Sequence, residues 1–198
     1  MFQTLTALLI FLFPLAYSPG PGNLFFAANG ARFGFRATLW ATAGYHLATW
    51  VVTALIGFGL LRALQAAPGV FHILQMAGAG YVLWIAWGML RAGALDKAGK
   101  ARPASFMDGV ILLLLNPKAY VIITLMFTQF LAPGAVNHVG LVLMITTVFT
   151  LNNLFAFSLW TMAGDRLAGI FARDSSARRL NLLFGTMLAA VAVWMALA

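Results

Sequence analysis

Apolar residues run along this chain in long blocks, not in the alternating or one-sided patterns of soluble strands and helices. Six blocks, roughly 3–28, 37–62, 70–91, 107–132, 139–163 and 180–197, are long enough to cross a bilayer, because about 20 apolar residues in a helix cover its hydrocarbon. The pattern predicts an all-α integral membrane protein with six transmembrane helices. Two of the blocks are interrupted. Ser18-Pro19-Gly20-Pro21-Gly22-Asn23 breaks the first and Asn116-Pro117-Lys118 breaks the fourth. Lipid cannot hydrogen-bond a freed backbone group, so a break at that depth has to be buried in protein or line a polar cavity.

Composition agrees with the block pattern. Of 198 residues, 63% are hydrophobic and only 8% charged, where soluble domains are about a quarter charged. The formal charge is +8. Its basic residues sit in short segments beside apolar blocks, which points to topology and contact with anionic membrane lipids; no basic face or folded module for nucleic acid is evident. The chain has no cysteine, which excludes disulfides, thiolate metal sites and dithiol relays. Residues 1–17 have the apolarity of a secretory signal, but no Lys or Arg precedes Arg32 and Pro14 interrupts them. They read as the first transmembrane helix of the mature chain.

The basic residues also give an orientation. Arg32 and Arg36 follow the first block, Arg91, Lys97, Lys100 and Arg102 the third, and Arg166, Arg173, Arg178 and Arg179 the fifth, against Arg62 alone on the other side. Cytoplasmic loops carry the Lys/Arg excess, so loops 1, 3 and 5 are expected in the cytoplasm and both termini outside. Residues 93–105 form a linker between two helix triplets, 1–92 and 106–198, within a single transmembrane domain. Pro19 and Pro117 lie 98 residues apart, about half the chain. An odd number of spans per half makes the halves enter the membrane from opposite faces. That predicts a 3+3 inverted repeat with interrupted helices 1 and 4, and paired interruptions of this kind point to a transporter's binding site.

The breaks carry the candidate chemistry. Pro19, Pro21 and Pro117 withhold donors from the carbonyls of Leu15, Tyr17 and Leu113. Gly20 and Gly22 let the backbone turn or approach a ligand. A half-helix restarting near Asn23 aims free amides and partial positive charge at the membrane centre, which favours a carboxylate. The candidate substrate-binding set is therefore Ser18, Pro19, Gly20, Pro21, Gly22, Asn23, Asn116, Pro117 and Lys118, joined by Asn152 and Asn153 at the middle of the fifth block.

Lys118 lies roughly 15 Å from either end of its block at 1.5 Å per residue, too deep to snorkel easily, and a charge there is functional by default. It could receive a substrate carboxylate, titrate during coupling, or simply cap the freed carbonyls of the first helix. His46, about ten residues into the second block, is either hydrogen-bonded packing or a proton carrier. No acid sits at mid-membrane and the three histidines are scattered, so no metal site or cofactor is expected. No nucleophile–base pair suggests an enzyme.

Three stretches together resemble the LysE/RhtB amino-acid exporters over nearly the whole chain. They are Ser18-Pro19-Gly20-Pro21-Gly22 ahead of Gly34-Phe35-Arg36; Gly80-Tyr81-Val82-Leu83 running to Arg91; and Phe106 leading through Gly109 to Leu115-Asn116-Pro117-Lys118. The resemblance implies a bacterial inner-membrane protein that exports amino acids, driven by the proton gradient and assembled as a homo-oligomer such as a dimer. His46, Asn152 and Asn153 rest on depth alone. The rival readings are a non-transporting membrane scaffold or interaction subunit, and a carrier of some other small solute.

Overall fold

The computed structural model describes residues 2–60, 68–91, 102–131, 137–170 and 174–197. The described residues form helices α1 (Phe2–Tyr17), α2 (Pro21–Phe33), α3 (Phe35–Leu55), α4 (Pro68–Arg91), α5 (Phe106–Leu114), α6 (Pro117–Phe130), α7 (His138–Ile170) and α8 (Asp174–Leu197), with no strand among them. Most of the expected linker, and Arg62, Lys97, Lys100 and Arg173 of the charge pattern, lie outside the described residues.

The first and fourth apolar blocks are each two helices. α1 and α2 meet at 61°, and α5 and α6 at 63°. The cause is local in both cases. Each second helix opens with a proline at its first turn, a position proline tolerates, while the turn before it cannot be helical. α3 with its following turn (Phe35–Gly59) and α7 (His138–Ala168) are each long and apolar enough to cross a membrane, and each bent pair passes the same test as one span. The chain is a multi-pass membrane protein. In α8 the apolar part is Leu182–Leu197, shorter than a full span. Large apolar side chains face outward, Ile10, Trp40 and Trp84 each about 70% exposed, as a lipid-facing surface requires.

Close packing comes from small residues, because lipid leaves no hydrophobic drive between helices and backbone approach has to supply the contact. α2 lies on α7, where a Cβ on Gly30 would overlap the Thr161 carbonyl and one on Gly164 the Ala27 carbonyl. α3 lies on α5 in the same manner, Gly44 against the Phe106 carbonyl and Gly109 against that of Ala41. Gly30 and Gly34, four residues apart, thus serve two separate ends. Gly30 seats α2 on α7, and Gly34 turns the chain between α2 and α3 at φ 84°, a conformation that costs other residues energy. Asp165 of α7 ties the turn down by accepting from the Phe35 amide at 3.1 Å.

Other helix contacts are made by side chains. Leu8 and Leu12 of α1, Ile123 and Met126 of α6, and Ile145 and Phe149 of α7 form one buried cluster. A second joins α2, α4 and α8 through Leu24, Val82, Ala86 and Leu188. The third, around Ala16, Phe26, Tyr45, Leu113 and Phe157, wraps the two breaks.

The glycine contacts give a first prediction. Gly164→Ala should lower the thermal midpoint of the purified protein by the equivalent of about 1–3 kcal/mol, the cost of overpacking. Gly80→Ala, on an open face of α4 with nothing within 4 Å, should be neutral or stabilising by up to about 1 kcal/mol. Equal midpoints for the two variants would contradict the α2–α7 contact.

Candidate binding site at the two helix breaks

The last four carbonyls of a helix have no partner within it, and α1 ends at a bend of 61° inside an apolar block. Four separate donors meet them. Ser18 Oγ donates to the Leu15 carbonyl at 3.2 Å, Asn23 Nδ2 to Ala16 at 2.9 Å, Trp160 Nε1 to Tyr17 at 3.2 Å and Lys118 Nζ to Ser18 at 3.0 Å. Lys118 also donates to Ser18 Oγ at 3.0 Å. The two breaks, 100 residues apart at this contact, therefore touch through one ammonium. Its charge faces the C-terminal end of α1, where the helix dipole is negative.

The carbonyls of Leu15 and Tyr17, expected to be freed by the prolines, are thus already engaged within the protein in this conformation. That of Leu113 is engaged too, by the Asn116 amide at 3.0 Å. The capping role anticipated for Lys118 is what its geometry shows. An ammonium has three hydrogens, and the two bonds to Ser18 account for two of them.

The second break orients Asn116. Its Nδ2 donates to the Tyr45 hydroxyl at 3.0 Å, while its Oδ1 is buried without a partner. Asn23, Tyr45, Asn116, Lys118 and Asn153 surround a cavity of about 20 Å³, closed on its apolar sides by residues including Ile122, Phe149 and Phe157. That volume holds one water-sized molecule and falls far below the roughly 300 Å³ at which small-molecule sites begin. Binding anything larger requires the helices to part.

The remaining expected residues fall into distinct places. Gly20 leaves room for the Lys118 side chain, since a Cβ there would stand 2.9 Å from Lys118 Cδ, and Gly22 makes room for Phe157, at 2.6 Å from its Cζ. Pro21 and Pro117 open their helices, whereas Pro19 is exposed. Asn153 reaches the cavity but Asn152 does not: it accepts from the Tyr17 hydroxyl at 3.5 Å. His46 lies one ring behind the wall, edge-on to Phe157 at 5.4 Å. Its Nδ1 is 2.7 Å from the Thr42 carbonyl, and so carries the proton in the neutral ring; its Nε2 is buried without a partner.

Sequence reasoning missed Tyr45, Phe149, Phe157 and Trp160. Tyr45 carried a signal, a hydroxyl in the middle of an apolar block. Phe149 and Phe157 carried none, because one phenylalanine among seventeen looks like any other until the helices are placed.

Comparison with known proteins covers almost the whole chain. A family model described as LysE type translocator matches residues 13–198. A cysteine/O-acetylserine efflux protein of Salmonella choleraesuis (strain SC-B67) is 28% identical over 182 residues, 90% of each chain. The protein of the same description from Escherichia coli (strain K12) is 25% identical over 179 residues, again 90% of each. No solved structure matches the chain.

Replacing Asn23 by Ala should leave the Ala16 carbonyl without its donor and lower the unfolding midpoint by the equivalent of about 1–3 kcal/mol. Thr186→Val, which removes an exposed hydroxyl bonded only to its own helix, should stay within about 0.5 kcal/mol of wild type. A neutral Asn23→Ala would show that the break does not depend on its side-chain caps.

Proposed function

The chain belongs to the LysE type translocator family, and from that premise we propose that it is a secondary exporter of small, zwitterionic amino acids whose site is the meeting point of the two helix breaks. The observation that carries this reading is the contact of Lys118 with Ser18 beside a cavity that also presents the unpartnered Asn116 Oδ1. The positive ends of α2 and α6 and the negative ends of α1 and α5 converge there. An amino acid carries both charges. Lys118 and the amides opening α2 take the carboxylate; Asn116 Oδ1 and Asn153 take the ammonium. The relatives named for cysteine and O-acetylserine efflux favour a small substrate, and so does a site with little room to spare.

The architecture we infer has six spans in a 3+3 inverted repeat, in the bacterial inner membrane, with loops 1, 3 and 5 cytoplasmic and both termini outside. The near-equal bends of 61° and 63° support the repeat, and the Lys/Arg distribution supports the sidedness. The packing also suits alternating access. α2 and α5, the halves on the proposed cytoplasmic side, are seated on α7 and α3 by glycine–backbone contacts, whereas the outer halves α1 and α6 meet α7 through side chains. In this reading the conformation is the one closed on the cytoplasmic side, and rocking the triplets would exchange the two packings. Lys118 and His46 are the candidates for the coupling proton: Lys118 stands on the cavity, His46 behind Phe157.

Purified protein at substrate concentrations about 100-fold above Kd should gain the equivalent of about 2.7 kcal/mol in thermal stability, and a screen of small neutral amino acids measures this. In proteoliposomes, Lys118→Ala should cut flux of the stabilising amino acid at least about tenfold, the loss of a charge-assisted bond. Wild-type flux in that variant removes the proposed role of Lys118. No stabilisation by any amino acid, with no flux in the wild type, favours the scaffold reading.

A further inference from the structure

A second space lies on the same side of the protein as Arg32, Arg91 and Arg102. It is a groove of about 480 Å³ between α2, α4 and the segment entering α5, a size typical of small-molecule sites. Arg32, Arg102 and Asp108 line it together with Asn29 and Trp84. The charges are of both signs and differently committed. Arg32 has its guanidinium 5.2 Å from the Phe33 ring centre. Arg102 is largely exposed and stands 3.5 Å from Asp108 Oδ2. That oxygen also accepts from the Ser105 amide at 2.7 Å and hydroxyl at 2.8 Å. Among the described residues every such contact of Asp108 falls on Oδ2, which leaves Oδ1 to spare beside a groove lined also by two guanidinium groups.

The groove and the inner cavity share a wall of aromatic rings. Phe25 lines the groove, while Tyr45 and Phe157 line the cavity. Phe26 stands between them, fully buried, with ring centres 5.4 Å from Phe25, 5.6 Å from Tyr45 and 5.0 Å from Phe157. The wall has no polar side chain of its own apart from the Tyr45 hydroxyl, which is turned to Asn116.

We propose that the groove is the cytoplasmic vestibule of the carrier, binding an amino acid as a zwitterion before it reaches the breaks, with Arg32 and Arg102 on the carboxylate and Asp108 Oδ1 on the ammonium, and that Phe26 is the gate between vestibule and cavity. This rests on the efflux reading. Two cations beside one acid fit a carboxylate-bearing zwitterion better than a cationic solute, and the buried ring wall explains why a large outer space and a small inner one coexist without joining.

The test uses inside-out membrane vesicles, whose outer face is the cytoplasmic one, and labelled cysteine or O-acetylserine as probe. The double variant Arg32→Gln/Arg102→Gln should raise KM about tenfold or more, the loss of charge-assisted bonds to a carboxylate, with the maximal rate held within about twofold; Arg32→Lys/Arg102→Lys should recover most of the affinity. An unchanged KM beside normal wild-type flux overturns the vestibule and leaves the efflux reading standing. A maximal rate that falls only in vesicles rich in anionic lipid, at constant KM, overturns it in favour of a phospholipid head-group site. No flux in the wild type removes the efflux reading and the vestibule with it. The gate is read independently of transport. Because the chain has no cysteine, Ala119→Cys places a single thiol on the cavity wall. Phe26→Ala should speed its modification by a membrane-impermeant reagent from the cytoplasmic face about tenfold or more, and an unchanged rate overturns the gate.

Discussion

A helix that stops inside a membrane leaves four carbonyls without hydrogen where neither lipid nor bulk water can supply one, and the rest of this structure follows from how they are met. Ser18 and Asn23 answer from the break itself, Trp160 from α7 and Lys118 from the other half of the chain. Two of the four donors are therefore long-range, and each binds the end of α1 to a different helix. An unmet buried carbonyl costs several kcal/mol, so the break leans on α6 and α7 standing where they do. The requirement that makes the break possible also brings a cation, an amide with a spare acceptor and a tyrosine hydroxyl into one small space.

The two modes of helix contact have different mechanical consequences. Where Gly30, Gly44, Gly109 and Gly164 bring backbones together, the fit is set by main-chain shape and tolerates little sliding. Where Leu8, Ile123, Ile145 and Phe149 meet, rotamer changes can absorb a shift. The proposed inner and outer halves thus differ in stiffness as well as in contents. A carrier built this way holds one side shut by shape and the other by side chains, with the breaks as the level at which the two meet.

The site also limits its own ligand. Gly20 and Gly22 are filled from outside, by Lys118 and Phe157, so the space that the missing side chains release is given to protein and not to a bound molecule. What remains is a cavity lined by five polar residues and too small for an amino acid at rest. If the proposed substrate binds there, binding and helix movement are one event, which is the coupling an alternating-access carrier needs.

The sequence alone determined the helical class, the two interruptions and the place of Lys118 at the second of them. These depend on short-range chemistry that residues declare locally: apolar length for the helices, proline without an amide for the breaks, and an ionisable group in the middle of an apolar run. It also carried a family resemblance in the motifs that surround those same breaks. It did not show that Lys118 would bond to Ser18, which of Asn152 and Asn153 would reach the cavity, or that His46 would stand behind Phe157. Nor did it show that Gly30 would meet the Thr161 backbone. Those are facts about which helix faces which, and they are settled by backbone approach at glycines and by donors that reach across the chain. Many arrangements of apolar helices bury similar surface, but few also give each of the four carbonyls at the end of α1 a hydrogen, and that long-range condition exists only in three dimensions.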